Sequence, residues 1–308
     1  MWVVLTGGTG GAKLIEGLGH EVDPAELTII CNTADDFVVH GLNISPDIDT
    51  IMYTLAGLSD SAKGWGIQDD SFTVLTQLEK LGGETWFKLG DKDIATHITR
   101  TRLLRAGLAL AEVTDRLRRC LGIEARILPM SNQPIETRVE TSQGEISFQE
   151  YFVKQRWQAE VQKVSYARVE KSEPADGVLE AISKAAGIIL CPSNPATSIG
   201  PILAVPGIRN ALNKAKAPVV GISPIIGESA ISGPAHKLMA AQRMEPSAFG
   251  VAQAYADFLD HFVIDLEDRT LQSKLETLKI KVVASSIRMN SLADKRRLAR
   301  EVLALLKK

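Results

Sequence analysis

The stretch Trp2-Val3-Val4-Leu5-Thr6-Gly7-Gly8-Thr9-Gly10-Gly11-Ala12-Lys13-Leu14 decides how the rest of the chain is read. Trp2–Leu5 is apolar throughout, as a strand covered on both faces of a parallel sheet requires. Four glycines follow within five positions, and a helical period begins at 11–19. Strand, glycine-rich turn and helix in that order open a β-α unit. Glycine lets the backbone approach a ligand closely, and the first N–H groups of the helix carry a partial positive charge that suits a phosphate. Two well-known templates do not match. A P-loop needs Gly before the Lys and Ser or Thr after it, and here Ala12 and Leu14 hold those places. The dinucleotide fingerprint fails as well, because Lys13 stands where its third Gly belongs.

The alternation continues along the chain. Further strands are predicted at Leu27–Cys31, Ala125–Leu128, Gly187–Cys191, Pro218–Ile222, Phe262–Asp265 and Ile280–Ala284. Helices are predicted over 47–58, 70–81, 93–119, 175–185, 206–215, 246–259 and 291–307. Such a pattern specifies an α/β fold, Rossmann-like and doubly wound around a mostly parallel sheet. The segment at about 131–170 reads differently. Glu136–Glu140 and Glu145–Phe148 flank a turn containing Gly144, and Val161–Val169 alternates like a third strand, so an antiparallel insertion is expected. No Gly/Ser- or Pro-rich linker divides the chain, which is read as a single domain, 1–308.

Composition narrows the function classes. Lys and Arg total 35 against 37 Asp and Glu, a net charge of −2, whereas a protein held by nucleic-acid phosphates shows a basic excess. With 45% hydrophobic residues the chain is no disordered segment. Its three cysteines form no C-x-x-C, and Cys31 and Cys191 close apolar runs as buried strand residues. No apolar run approaches the ~20 residues of a membrane span, and Trp2–Leu5 lacks the charged start of a signal peptide. No nucleic acid, no membrane and a cytoplasmic location are therefore expected. The basic end around Lys295, Arg296 and Arg297 is read as a solvated helix face.

Polar clusters sit where strands end. Asn32-Thr33-Ala34-Asp35-Asp36 follows the second strand, at the sheet edge where open α/β folds bind ligands. Ser45-Pro46-Asp47-Ile48-Asp49-Thr50 has an N-cap residue, a Pro suited to the first helical position and acids in the first turn. With Asp36 added, the same acids make a carboxylate set able to hold Mg2+ against phosphate oxygens; spacing does not choose between these accounts. Beyond Lys88-Leu89-Gly90-Asp91-Lys92-Asp93, positions 93, 97 and 100 share a helical face, so Asp93, His97 and Arg100 can converge, which suits an anion. Two loops after buried strands, Cys191–Pro201 and Gly221–Gly227 running on to Ser232–Lys237, are rich in small hydroxyl, amide and Gly residues. These can serve as turns or can hydrogen-bond a nucleotide.

Taken in order, Gly7–Leu14, Asn32–Asp36, Ser45–Thr50, Lys88–Asp93 with Ala95-Thr96-His97, Pro192-Ser193-Asn194-Pro195 with Thr197–Pro201, and Ser223–Gly227 with Ser232-Gly233-Pro234 resemble the 2-phospho-L-lactate transferase family of coenzyme F420 biosynthesis. The resemblance runs from residue 1 to about 265, and no motif is placed beyond that. It implies transfer of a phospholactyl group from lactyl-2-diphospho-5′-guanosine to the ribityl hydroxyl of FO, a deazaflavin, giving F420-0 and GMP with Mg2+. Related donors carry enolpyruvyl or phosphoglyceryl groups, and no residue here decides among them. By the same resemblance Asp36 and Asp49 are catalytic residues and hold the metal, while Asp49 and Lys88 meet FO. Gly7, Gly8, Thr9, Gly10, Gly11 and Lys13, with Ser193, Asn194, Thr197 and Ser198, hold the guanosine diphosphate, and His97 and Arg100 contact phosphate. A homodimer is the family expectation. Asp49 is equally suited to draw the proton from the attacking hydroxyl.

The alternative is a nucleotide-sugar-binding regulatory protein of the gluconeogenesis-factor type, which has a similar Gly-rich start and Asp pair. That family lacks the Ser45–Thr50 and Lys88–Asp93 signatures, and a Gly/Ser-rich run follows its Asp pair where Phe37-Val38-Val39 stands here. A nicotinamide-dependent oxidoreductase is disfavoured by the failed fingerprint.

Overall fold

All seven apolar runs predicted as strands enter one sheet. The computed structural model describes residues 1–60, 64–227, 229–230 and 233–307. In chain order its first half runs β1 (Trp2–Thr6), α1 (Gly8–Gly19), β2 (Leu27–Cys31), the hairpin β3 (Phe37–Val39) and β4 (Leu42–Ile44), α2 (Pro46–Leu55), α3 (Thr73–Lys80), α4 (Asp91–Arg105), α5 (Leu110–Cys120) and β5 (Arg126–Pro129). The insertion β6 (Glu136–Thr141), β7 (Gly144–Ser147) and β8 (Val161–Ala167) precedes α6 (Val178–Lys184), β9 (Gly187–Leu190), α7 (Gly200–Ala204) and α8 (Ile208–Asn213). Then come β10 (Val219–Ile222), the short pair β11 (Ile225–Ile226) and β12 (Ser229–Ala230), α9 (Ala235–Ala241), α10 (Ala248–Tyr255), β13 (His261–Ile264), α11 (Gln272–Glu276), β14 (Lys281–Ala284) and α12 (Leu292–Leu306).

The central sheet has the order β5-β2-β1-β9-β10-β13-β14, with every neighbouring pair parallel. The two-residue period of a strand sends alternate side chains to opposite faces. Val3, Leu5, Ile30, Ile188 and Leu190 enter the core under α6, α8 and α10. Val4, Ile29, Cys31, Ile189 and Cys191 enter the other, under α1, α2, α5 and α12. Because the chain winds outward from β1 to β5 and then resumes at β9 on the other side, the order reverses between β1 and β9. Ligands of doubly wound sheets bind outside the carboxyl ends at this switch point.

The insertion forms its own antiparallel sheet, in the order β7-β6-β8, turning at Ser142-Gln143 as expected. Several details differ from the sequence reading, among them α7, α9, α11 and the β11–β12 pair, which it does not predict. The helix predicted over 93–119 breaks into α4 and α5, because Gly107 takes the left-handed conformation (φ 90°) that ends a helix. The β3–β4 hairpin was not foreseen; its turn is His40-Gly41, both with positive φ (51° and 74°), the primed turn that matches strand twist. The basic C-terminal helix is no merely solvated face. Lys295 Nζ lies 2.5 Å from Glu16 and Arg296 Nε 2.7 Å from Glu21, both on or beside α1, while Leu298, Val302 and Leu303 are buried. The helices meet so closely that a Cβ at Gly17 would fall 2.3 Å from the Lys295 carbonyl oxygen. The segment without a motif thus supports the helix that follows the Gly-rich loop. No described helix is long and apolar enough to cross a membrane.

Candidate active site at the carboxyl edge of the sheet

At the switch point the two loops predicted to hold a nucleotide lie against each other. Ser193 Oγ donates to the Gly7 carbonyl at 2.8 Å, joining the loop after β1 to the loop after β9. Gly7 is the N-cap of α1, in extended conformation, and a Cβ there would come 2.7 Å from Asp47 Oδ2 and 2.8 Å from Ser198 Cβ. The Gly8 N–H donates to Asp47 Oδ1 at 2.8 Å, so a carboxylate from the first turn of α2 meets the positive end of α1. Asn32, at the end of β2, ties these pieces together. Its Nδ2 reaches Asp47 Oδ2 at 2.9 Å, Asp35 Oδ2 at 3.2 Å and the Thr197 carbonyl at 3.2 Å.

Four aspartates, 35, 36, 47 and 49, gather at this edge. The nearest buried cation is Arg100, fully buried on α4. Its Nη1 donates to Asp49 Oδ2 at 3.0 Å and its Nη2 to Asp49 Oδ1, a bidentate pair. Burial by itself would lower the Arg100 pKa, but Asp49 overrides it and raises it. The predicted convergence on α4 is present: His97 Nδ1 is 3.2 Å from Arg100 Nη1, and His97 Nε2 is 3.1 Å from Asp93 Oδ1. Tyr53 on α2 donates to that same Asp93 oxygen at 2.6 Å. With Arg100 paired to Asp49, none of the other three carboxylates has an ion-pair partner among the described residues. Burial pushes Asp35 and Asp36 well above the usual carboxylate range and Asp47 up to about 6. Asp36 Oδ2 accepts from Ser45 Oγ at 2.7 Å, while its Oδ1 is buried without a partner among the described residues. Ser45 stands at the N-cap of α2 as predicted, yet its hydroxyl serves Asp36 and caps no helical N–H.

A surplus of buried carboxylate and an orphaned Asp36 oxygen fit a divalent cation. Asp49, Asp93 and His97 also bring ligand atoms within 4.8 Å of one another, but there the Arg100 guanidinium already supplies positive charge to Asp49.

Beside this floor opens a cavity of about 790 Å3, bordered by Asp36, Ser45 and Thr33. One wall is the β3–β4 hairpin with Phe37, on which the Trp86 ring stacks at 6.0 Å and 28°. Another wall is the insertion, through Glu136, Arg138, Ser147, Glu150, Lys154 and Arg168. A size within the range of small-molecule sites, an aromatic face and charged groups on two sides suit a polar ligand with a planar ring.

The predicted residues therefore fall into three sets. Asp36 borders the cavity; Asp49, His97 and Arg100 form a buried network behind the floor; Gly7–Gly11 and Ser193–Ser198 meet at the switch point without lining the cavity. Lys13 and Lys88 are exposed and line no part of it. Much of the Lys88–Asp93 motif does structural work. Asp91 accepts from the Thr73 and Val74 N–H groups at the start of α3, both at 3.0 Å, and Asp70 accepts in return from Lys92 and Asp93 at the start of α4. Gly90 is required because a Cβ would lie 2.1 Å from Asp70 Oδ2. Ser232 of the last motif lies outside the described residues. Sequence reasoning missed Tyr53 and the charged wall of the insertion. The wall had one signal, the alternation that sets Glu136 and Arg138 on the same face of β6.

Comparison with known proteins extends the resemblance almost to the end of the chain. Residues 2–303 match the family described as 2-phospho-L-lactate transferase CofD, well past residue 265 where the motifs stop. The 2-phospho-L-lactate transferase of Methanosarcina acetivorans is 43% identical over 303 residues, 98% of each chain. The phosphoenolpyruvate transferase of Streptomyces griseus is 43% identical over 309 residues, 98% of this chain and 97% of its own. A solved structure of a UPF0052-family protein from Bacillus halodurans superposes with a TM-score of 0.64 at 19% identity, covering 98% of both chains, a likeness of fold.

Proposed function

The chain belongs to the 2-phospho-L-lactate transferase family, and from that premise we propose that it carries an acid-bearing phosphoryl group from a diphospho-5′-guanosine donor to FO in coenzyme F420 biosynthesis. The ribityl hydroxyl of FO attacks the phosphorus that bears the acid. A new P–O bond forms, the bridging P–O bond of the diphosphate breaks, and GMP leaves with the bridging oxygen. The hydroxyl proton passes to a carboxylate of the floor. The transferred acid is lactyl or enolpyruvyl, since relatives at equal identity carry the two names.

The observation that carries this reading is the cavity itself, with an acidic floor at the carboxyl edge of the sheet and an aromatic wall at its side. Displacement at a diphosphate needs alignment and neutralised charge more than a covalent nucleophile. Mg2+ held by Asp36, with Asp49 close by, supplies that neutralisation when bound. Arg100 fixes Asp49, with His97 beside it. The planar deazaflavin lies along Phe37 and Trp86, with Lys88 on the adjoining segment. Gly7–Gly11, Lys13 and Ser193–Ser198 take the guanosine diphosphate, whose phosphates meet the start of α1. The protein is proposed to work in the cytoplasm as a homodimer.

The test is incubation with FO, Mg2+ and, separately, lactyl-, enolpyruvyl- and glyceryl-diphosphoguanosine, followed by detection of GMP. FO-dependent GMP release with the lactyl or enolpyruvyl donor is expected, and the faster of the two identifies the acid. Absence of GMP with every donor would sink the transferase reading.

A further inference from the structure

The insertion turns two guanidinium groups, of Arg138 and Arg168, to its cavity face. On β6 the strand period buries Thr137, Val139 and Thr141 and turns Glu136 and Arg138 toward the cavity. Arg138 Nη2 lies 2.8 Å from Glu136 Oε2, and Arg168 Nη2 approaches the same oxygen at 3.5 Å. Arg168 follows β8 in the left-handed conformation (φ 69°), uncommon for a residue with a side chain, and its Nε donates to the Pro134 carbonyl at 3.0 Å. Two guanidinium groups thus share one carboxylate oxygen, and most of their N–H donors have no acceptor among the described residues. The other charges of this wall are matched. Lys154 reaches Glu84 at 3.4 Å and lies 5.6 Å from the Trp86 ring centre, and Glu150 accepts from the Ser147 N–H and hydroxyl at 3.1 and 2.9 Å.

We propose that Arg138 and Arg168, held by Glu136, form the subsite that takes the carboxylate of the transferred acid. The inference rests on the transferase reading above and adds to it a specificity-determining pair. The chemistry separates the two ends of the donor. The floor borders the cavity through Asp36 and Ser45, whose hydroxyl is already spent on Asp36, so it offers no guanidinium to the acid end of the donor. The insertion wall, with net positive charge at this point, is the surface of the same cavity that offers paired planar donors. Lactyl, enolpyruvyl and glyceryl groups all bear that carboxylate, so the subsite requires the acid without distinguishing among the three.

The experiment compares the acid donor with its carboxylate methyl ester, using full-length wild type, Arg138→Gln and Arg168→Gln. Wild type should prefer acid to ester in kcat/KM by about 10- to 100-fold, the range for a hydrogen-bonded charged group. Each variant should bring this ratio toward unity through a raised KM for the acid donor, with KM for FO unchanged. Arg138→Lys should fall between, since an ammonium lacks the fork. Both side chains are partly exposed, and unchanged thermal midpoints are expected. A wild-type acid-to-ester ratio in both variants, or a raised KM for FO in place of the donor, would overturn the assignment. Absence of GMP with every acid donor in the wild type would overturn the transferase reading instead.

Discussion

The two sides of the cavity are built on opposite principles. The floor is made of buried groups whose polar atoms are largely spent on one another: Asp49 on Arg100, Asp47 on Gly8 and Asn32, Asp36 on Ser45. The insertion wall is made of half-exposed charges with hydrogen-bond donors to spare. Buried pairs that lose one member leave an uncompensated charge, whereas exposed pairs contribute little. Substitutions on the floor should therefore disturb folding together with chemistry, and substitutions on the wall should disturb binding alone.

The largest break in that contrast comes from Arg100→Met, which strands Asp49 at 4% exposure without its guanidinium. A loss of about 3–5 kcal/mol is expected in urea unfolding, along with loss of turnover. Unchanged stability would mean that the pair is not the anchor of the floor. Asp36→Asn should separate the two properties. It removes a charge with an orphaned oxygen, so GMP formation should fall by about 100-fold or more while the thermal midpoint moves little. Gly7→Ala probes the packing of the switch point, where the new Cβ would press on Asp47 Oδ2 at 2.7 Å. A cost of about 1–3 kcal/mol in denaturant unfolding is expected.

The smallest effect belongs to Asp91, away from both sides of the cavity. The Ser71 hydroxyl and the Val74 and Thr73 N–H groups pull its pKa down to about 2. A depressed carboxylate stabilises the fold above its unfolded value, about pH 4, and that support is lost as pH falls through about 2. Asp91→Asn should melt slightly below wild type at neutral pH, and the gap should close as the pH approaches 2. A gap that persists in acid would show that the ionised carboxylate is not what holds α3 to α4.

How much of this was legible follows from the range of each interaction. Asp93, His97 and Arg100 are three and four residues apart, so helical spacing alone brought them together. The Asp49–Arg100 pair spans 51 positions, and no local pattern joins its members. The charge of Arg100 is visible locally, but the nearness of Asp49 is not. Similarly, Ser45 carried the signature of an N-cap, but the nearness of Asp36 diverts its hydroxyl. In the Lys88–Asp93 motif, Asp91 and Gly90 proved to be capping and packing residues only once Asp70 and α3 were folded beside them.

By itself the sequence determined the seven strands, their parallel arrangement within an α/β fold, the antiparallel insertion and the family. All are carried by periodicity and short motifs, which are properties of neighbouring residues. Only the tertiary structure decided which carboxylates are neutralised from within, that the Gly-rich loop meets Asp47, and that the insertion forms a wall of the cavity. These depend on groups brought together across the sheet. A charge acquires its role from the dielectric and the partners that folding gives it, and neither is written at its own position in the chain.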